Sequence, residues 1–238
     1  MDKFINFKLT VISVLILVVI FFLYSQSFKN DVPNCEGYVA NVYLYVLLAL
    51  LILSFSVLFI EKRRIPITGV KSLLFFGVSI ISLIALLATD AKNPLLTHLL
   101  WVAFIISLSA SVYTIWLKHR GTGTSTLIGA LFIMGILTVI AHIRPEWVKL
   151  SWGTGLTMAL FVGLLALIIP PLVSDVGHAY YRVLSGLFVI LFGVLILYDT
   201  KILRVKAATC TYPNYPADSV GLFLDGLNMY SNLAVLRG

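Results

Sequence analysis

Two aspartates stand inside apolar surroundings: Asp199 in Leu195-Ile-Leu-Tyr198-Asp199-Thr200 and Asp225 in Leu222-Phe-Leu-Asp225-Gly-Leu-Asn228. The other eight acids, Asp2, Asp31, Glu36, Glu61, Asp90, Glu146, Asp175 and Asp218, fall between apolar runs or at their edges. A carboxylate at bilayer depth costs about 3 kcal/mol on insertion scales, so an acid kept there is a candidate for function. Two carboxylates in contact cannot both ionise cheaply, and such a pair can share one proton. The chemistry available to Asp199 and Asp225 is therefore that of a proton-sensitive latch. Asn228 and Asn232 follow Asp225 at i+3 and i+7 and extend a polar stripe along one helix face. Such a stripe must meet protein or water, which predicts a central last helix. The competing reading has Asp199 ending its helix at the membrane surface beside Lys201, with Asp225 turned outwards.

The elements that position these residues are membrane spans. Hydrophobic residues make up 60% of the 238, charged residues only 11%, and the mean hydropathy is +1.03. A soluble domain carries about 25% charged residues to cover its surface. With lipid as solvent, each spanning segment must satisfy its own backbone hydrogen bonds, which selects helices. Apolar runs lie at 8–24, 38–60, 68–89, 95–117, 125–142, 155–173 and 182–204, with a weaker one at 219–236. Each is close to the roughly 20 residues that cross a bilayer as a helix. The runs are too long and too unalternated for barrel strands. Breakers separate them: Pro33, Pro66, Asn93-Pro94, Gly121-Thr-Gly123, Pro145, and Pro213 with Pro216. Trp101, Trp116, Trp147 and Trp152 fall near run ends, as an interfacial belt requires. The fold class is an all-α membrane protein.

Asp199 comes some six residues before the end of its run, and Asp225 some six after the start of the next. At about 1.5 Å per residue, both lie about 9 Å in from one face and can meet between antiparallel neighbours.

Lysines and arginines are scattered between the runs, with Glu61-Lys62-Arg63-Arg64 the one cluster, so the net charge of +7 sets topology and excludes a nucleic-acid partner. If every run spans, Lys3, Lys8, Lys62, Arg63, Arg64, Lys71, Lys118, Arg120, Arg182 and Arg237 share a side, 10 cations against 7 opposite. The excess places both termini in the cytosol. Cys35 and Cys210 then share the exoplasmic side, where a disulfide between them would persist. The alternative is two unrelated loop thiols. The first run has signal-peptide character, with Lys3 and Lys8 before an apolar core and Ser25-Gln26-Ser27 after it, and is read as a retained anchor helix over 1–30.

The segment Arg182-Val-Leu-Ser-Gly-Leu-Phe-Val-Ile-Leu-Phe-Gly-Val-Leu-Ile-Leu-Tyr198-Asp199-Thr200-Lys201 resembles the sixth span of the transmembrane Bax-inhibitor-motif family, whose hallmark is a Tyr-Asp-Thr near its end. The stretch from Leu222 through Asp225 and Asn228 to Arg237 resembles that family's last segment, which carries Leu-Asp-x-x-Asn. Asn41-Val-Tyr43-Leu-Tyr-Val-Leu-Leu is similar to its opening Val-Tyr-x-x-Leu. The resemblance covers about 38–238 and is specific in roughly the last 60 residues. It implies a seven-helix bundle over 38–238 with a central last helix, to which the 1–30 helix is an addition. It also implies a paired-aspartate sensor made by Asp199 and Asp225, with Tyr198, Thr200, Asn228 and Asn232 in support. Family members are described as pH-sensitive calcium-leak channels, and the animal ones as suppressors of cell death. The chain departs from the family in its second family helix, 68–89, which has no arginine and only Lys71 near one end. The charged C-terminal tail of some animal members has no counterpart before Gly238.

No constellation supports an enzyme. His98, His119, His142 and His178 never pair at i,i+3 or i,i+4, so no zinc site is expected, and His98 reads as a packing histidine rather than a proton relay. Gly121-Thr-Gly-Thr-Ser-Thr126 lacks the lysine of a phosphate loop. Pro170-Pro171 ends or kinks a span. The expected function is a proton-gated cation leak without a resident cofactor, its partners being the bilayer, protons and transient calcium. Two carboxylates are too few for tight calcium, which takes about 6–8 oxygens. The alternative is a non-transporting scaffold that binds other membrane proteins, for instance in a virion's internal membrane.

Overall fold

The computed structural model describes every residue but Met1, Asp31, Thr68, His119, Arg120 and Ser174, and of Asp2 the backbone alone. The expectations attached to His119 as a ligand, Arg120 in the charge count and the side chains of Asp2 and Asp31 lie outside the described residues.

Among the described residues eight α-helices follow one another: α1 (Asp2–Ser27), α2 (Tyr38–Arg63), α3 (Val70–Ala88), α4 (Pro94–Lys118), α5 (Gly123–Ile143), α6 (Trp152–Val173), α7 (His178–Ala208) and α8 (Tyr215–Arg237). Between α1 and α2 a minimal hairpin pairs β1 (Phe28–Lys29) with β2 (Val32–Pro33), and a 3₁₀ turn, Pro145–Trp147, precedes α6. Among the described residues, α1 to α7 are long and apolar enough to cross a membrane, and α8 is not. The eighth run is thus a helix whose Asp218, Ser219, Asp225, Asn228 and Asn232 lower its hydropathy too far for an independent span. It is instead enclosed: of its residues only Gly221 and Arg237 are exposed. At the opposite extreme α6 buries no residue and presents its Leu, Ile and Val side chains outwards, as a lipid-facing helix does.

The chain divides into two compact units, 1–118 with 207–220, and 119–206 with 221–238. In the first, α1 packs along α2, α2 on α4, and α3 on α4. Ile5 and Leu9 of α1 close over Leu58 of α2, with Ile12 and Phe55 beside them, so the N-terminal helix is packed onto the unit rather than standing apart from it. The centre is Val42, Tyr45 and Ala49 of α2 against Trp101, Phe104 and Ile105 of α4, all nearly inaccessible. Trp101 is therefore a core residue and not part of an interfacial belt. Its indole N–H needs an acceptor when buried, and it donates to Ser219 Oγ at 3.1 Å.

In the second unit, glycines let the helices approach. A Cβ on Gly163 of α6 would lie 2.7 Å from the Phe188 ring of α7, and one on Gly193 of α7 would meet Leu137 of α5 at 3.4 Å and Met229 of α8 at 3.8 Å. In lipid such close approach, rather than apolar burial, supplies the association energy. Buried hydroxyls return to their own helix in each unit: in the first, Ser109 Oγ donates to Ile105 O at 2.6 Å, and in the second, Thr200 Oγ1 to Ile196 O at 2.7 Å. Pro170 and Pro171 do not end α6 early; they lie in its last turn.

Candidate functional site

The last two helices carry the site, and their lengths follow from local chemistry. α8 starts after Asn214, whose Oδ1 accepts from the Ala217 N–H at 3.4 Å in the manner of an N-cap. Pro216 occupies the first turn, where no N–H is needed, and Asp218 adds the negative charge a helix N-terminus favours. α7 runs on to Ala208, four residues past the apolar run. Asp199 therefore lies nine residues from the end of α7, and Asp225 ten from the start of α8. At about 1.5 Å per residue that is about 14 and 15 Å, deeper than the 9 Å expected from hydropathy yet still matched.

The helices meet at a glycine. Asp199 Oδ2 fills the space where a side chain on Gly221 would begin, since a Cβ there would lie 2.5 Å from that oxygen and 3.6 Å from Cγ. Gly221 precedes Asp225 by four residues, one helical turn on the same face. Asp225 is buried, at 7% exposure, and the charge it feels is that of Asp199. Its Oδ2 has no hydrogen-bond partner among the described residues. A buried acceptor left in this way is costly unless a proton, a cation or water reaches it.

Lys206, seven residues further along α7, is the cation whose field reaches Asp199. Lys201, the alternative partner in the sequence, donates to Pro145 O at 3.1 Å. Arg204 donates to His142 O at 2.7 Å, at the C-terminal end of α5. Arg204 thus caps the negative end of α5, and Lys201 a carbonyl of the 3₁₀ turn that follows it.

The neighbouring candidates turn elsewhere. Tyr198 projects to α6, its hydroxyl accommodated by the missing side chain of Gly153 and 3.4 Å from Leu150 O. Thr200 bonds its own helix, and so do Asn228 Nδ2, at 2.9 Å from Leu224 O, and Asn232 Nδ2, at 2.8 Å from Asn228 O. The two asparagines are locally satisfied and do not extend the aspartate pair. His98 is held on both ring nitrogens, by Tyr45 Oη and by Pro94 O, each at 2.6 Å. It is a packed histidine. No group of three or more metal-ligating side chains occurs among the described residues. Gly221 is legible in the sequence only as a glycine one turn before the acid, and Lys206 only as a charge beyond an apolar run that α7 outlasts.

The mouth of α8 is a second constellation. Cys35 and Cys210 are joined, with Cα atoms 6.0 Å apart, across a sequence separation of 175 residues. Around the bridge Tyr38 Oη donates to Asp218 Oδ2 and Tyr215 Oη donates to Asn34 O. Asn41 Nδ2 bonds both Glu36 O, at 3.0 Å, and Tyr215 Oη, at 3.3 Å. The Tyr215 ring stacks on Tyr45 with centroids 6.0 Å apart. Gly37, in the left-handed region at φ 60°, makes the turn that brings Cys35 to the start of α2.

Among the described residues, eight helices, seven of them able to span, with an enclosed polar last helix, define a polytopic helical membrane protein. Its residues 35–237 match the Bax1-I family, inhibitor of apoptosis-promoting Bax1. The chain belongs to that family, and residues 1–34, all of α1 included, lie ahead of the matched region. No curated protein and no solved structure matches the chain.

Proposed function

We propose that the protein is a proton-gated cation leak, calcium being the physiological ion, with Asp199 and Asp225 as its gate. The observation that carries this reading is the contact of Asp199 with Gly221, one turn from a buried Asp225 whose Oδ2 lacks a partner. With one proton shared, the carboxyl groups attract and α8 stays seated on α7. When that proton leaves, two neighbouring negative charges in a poorly screened interior repel, and α8 moves off the Asp199 side of α7. The freed carboxylates and the water that follows offer a cation a weak, incomplete oxygen shell, which suits passage better than retention. Lys206 moderates the repulsion from one side only, because its field acts on Asp199.

Calcium flux into liposomes, followed from acidic to mildly alkaline pH, tests the proposal. Flux should rise with pH in the native protein and lose that dependence in Asp199→Asn and in Asp225→Asn. Flux at the protein-free background throughout would favour the non-transporting scaffold.

A further inference from the structure

We infer that Cys35–Cys210 is a site of thiol–disulfide exchange whose reduction by a dithiol, protein-borne or small, loosens the seat of α8. The inference goes beyond the gate itself and rests on the leak reading only for its effect on flux. Both cysteines are half-buried rather than sealed, and their neighbours Glu36, Thr209 and Thr211 are exposed, so an attacking thiolate has access. Cys210 stands in the 209–214 connection, two residues after α7 ends and five before α8 begins.

Cys35 sits between two acceptors that hold the start of α8. Asn34 O receives Tyr215 Oη, and Glu36 O receives Asn41, which also bonds Tyr215. One covalent link thereby keeps the 34–36 turn and the α7–α8 connection in register for three hydrogen bonds. Without it these groups must find one another across a chain separation of 175 residues, with Trp101–Ser219 and Tyr38–Asp218 among the remaining anchors. Because α8 is one continuous helix from Tyr215 to Arg237, slack at Tyr215 reaches Gly221 and Asp225.

The exchange itself is balanced. A thiolate of the dithiol attacks one bridge sulfur, the S–S bond breaks and a mixed disulfide forms; the second thiol then displaces it. Cys35 and Cys210 leave as thiols, having gained two electrons and two protons, and the dithiol leaves as its disulfide.

The experiment treats the full chain in liposomes with excess dithiothreitol, counts free thiols by mass spectrometry, and reads amide hydrogen exchange over 215–224 together with calcium flux. Reduction should free both thiols and speed exchange over 215–224 by about fivefold or more, on the order of one lost hydrogen bond. Flux should rise in parallel. Cys35→Ser/Cys210→Ser should behave as the reduced protein does and ignore the reductant. A bond that resists the dithiol, or unchanged exchange once both thiols are free, overturns the inference. Faster exchange with no flux in any state leaves the lock standing and removes the leak reading instead.

Discussion

Gly221→Ala separates the gate from the stability of the fold. The added Cβ falls 2.5 Å from Asp199 Oδ2, well inside van der Waals contact, and 3.6 Å from Cγ, an ordinary contact. The obstacle is the tip of a side chain, so Asp199 yields by rotation, at about 0.5–1.5 kcal/mol for an off-rotamer χ angle. Against that, alanine is favoured over glycine inside a helix by about 1 kcal/mol. The two nearly cancel, and the thermal midpoint should move little. The seated arrangement alone bears the clash, whereas the propensity gain is common to seated and unseated α8. The gate should therefore shift by about 1 kcal/mol towards open, which is about fivefold in population. The assay is calcium flux at a fixed acidic pH, where the native protein is mostly closed, paired with thermal unfolding of the same preparation. Flux equal to that of the native protein, with an unchanged midpoint, would refute the reasoning.

Three other substitutions address the surroundings. Asp225→Asn keeps the shape and removes the charge, so it should leave the thermal midpoint equal or raised while flux loses its pH dependence; a large fall in midpoint would mean that the acid is structural. Trp101→Phe removes the donor to Ser219 and leaves part of the buried indole's volume empty, and should cost about 2–4 kcal/mol in chemical denaturation, with Ser219→Ala adding little on top of it. Gly163→Ala drives a Cβ to 2.7 Å from the Phe188 ring and should cost about 1–3 kcal/mol as overpacking, partly restored by Phe188→Leu.

The helices were legible because lipid imposes one rule on every span: apolar length with internal hydrogen bonding. Breakers such as Pro33, Asn93-Pro94 and Pro145 marked the connections. The limits of α7 were not legible, because Lys201, Arg204 and Lys206 end the apolar run without ending the helix. Their charges cap carbonyls or reach back to Asp199, which hydropathy does not encode. Trp101 was misplaced for a related reason: a tryptophan near a run end resembles an interfacial anchor unless Ser219, 118 residues away, is known to accept from it. The two aspartates stood out by cost alone. What they face did not, since Gly221 announces itself only once α7 and α8 are set side by side.

A double-mutant cycle on flux tests the central claim most directly. Asp199→Asn, Asp225→Asn and the double variant are compared with the native protein across the pH range in which flux changes. If the two carboxylates act as one proton-sharing unit, either substitution abolishes the pH dependence and the second adds nothing, a strongly non-additive cycle. If each single variant keeps part of the dependence and the double variant loses the sum of the two, the aspartates act independently and the account of a shared-proton gate is wrong.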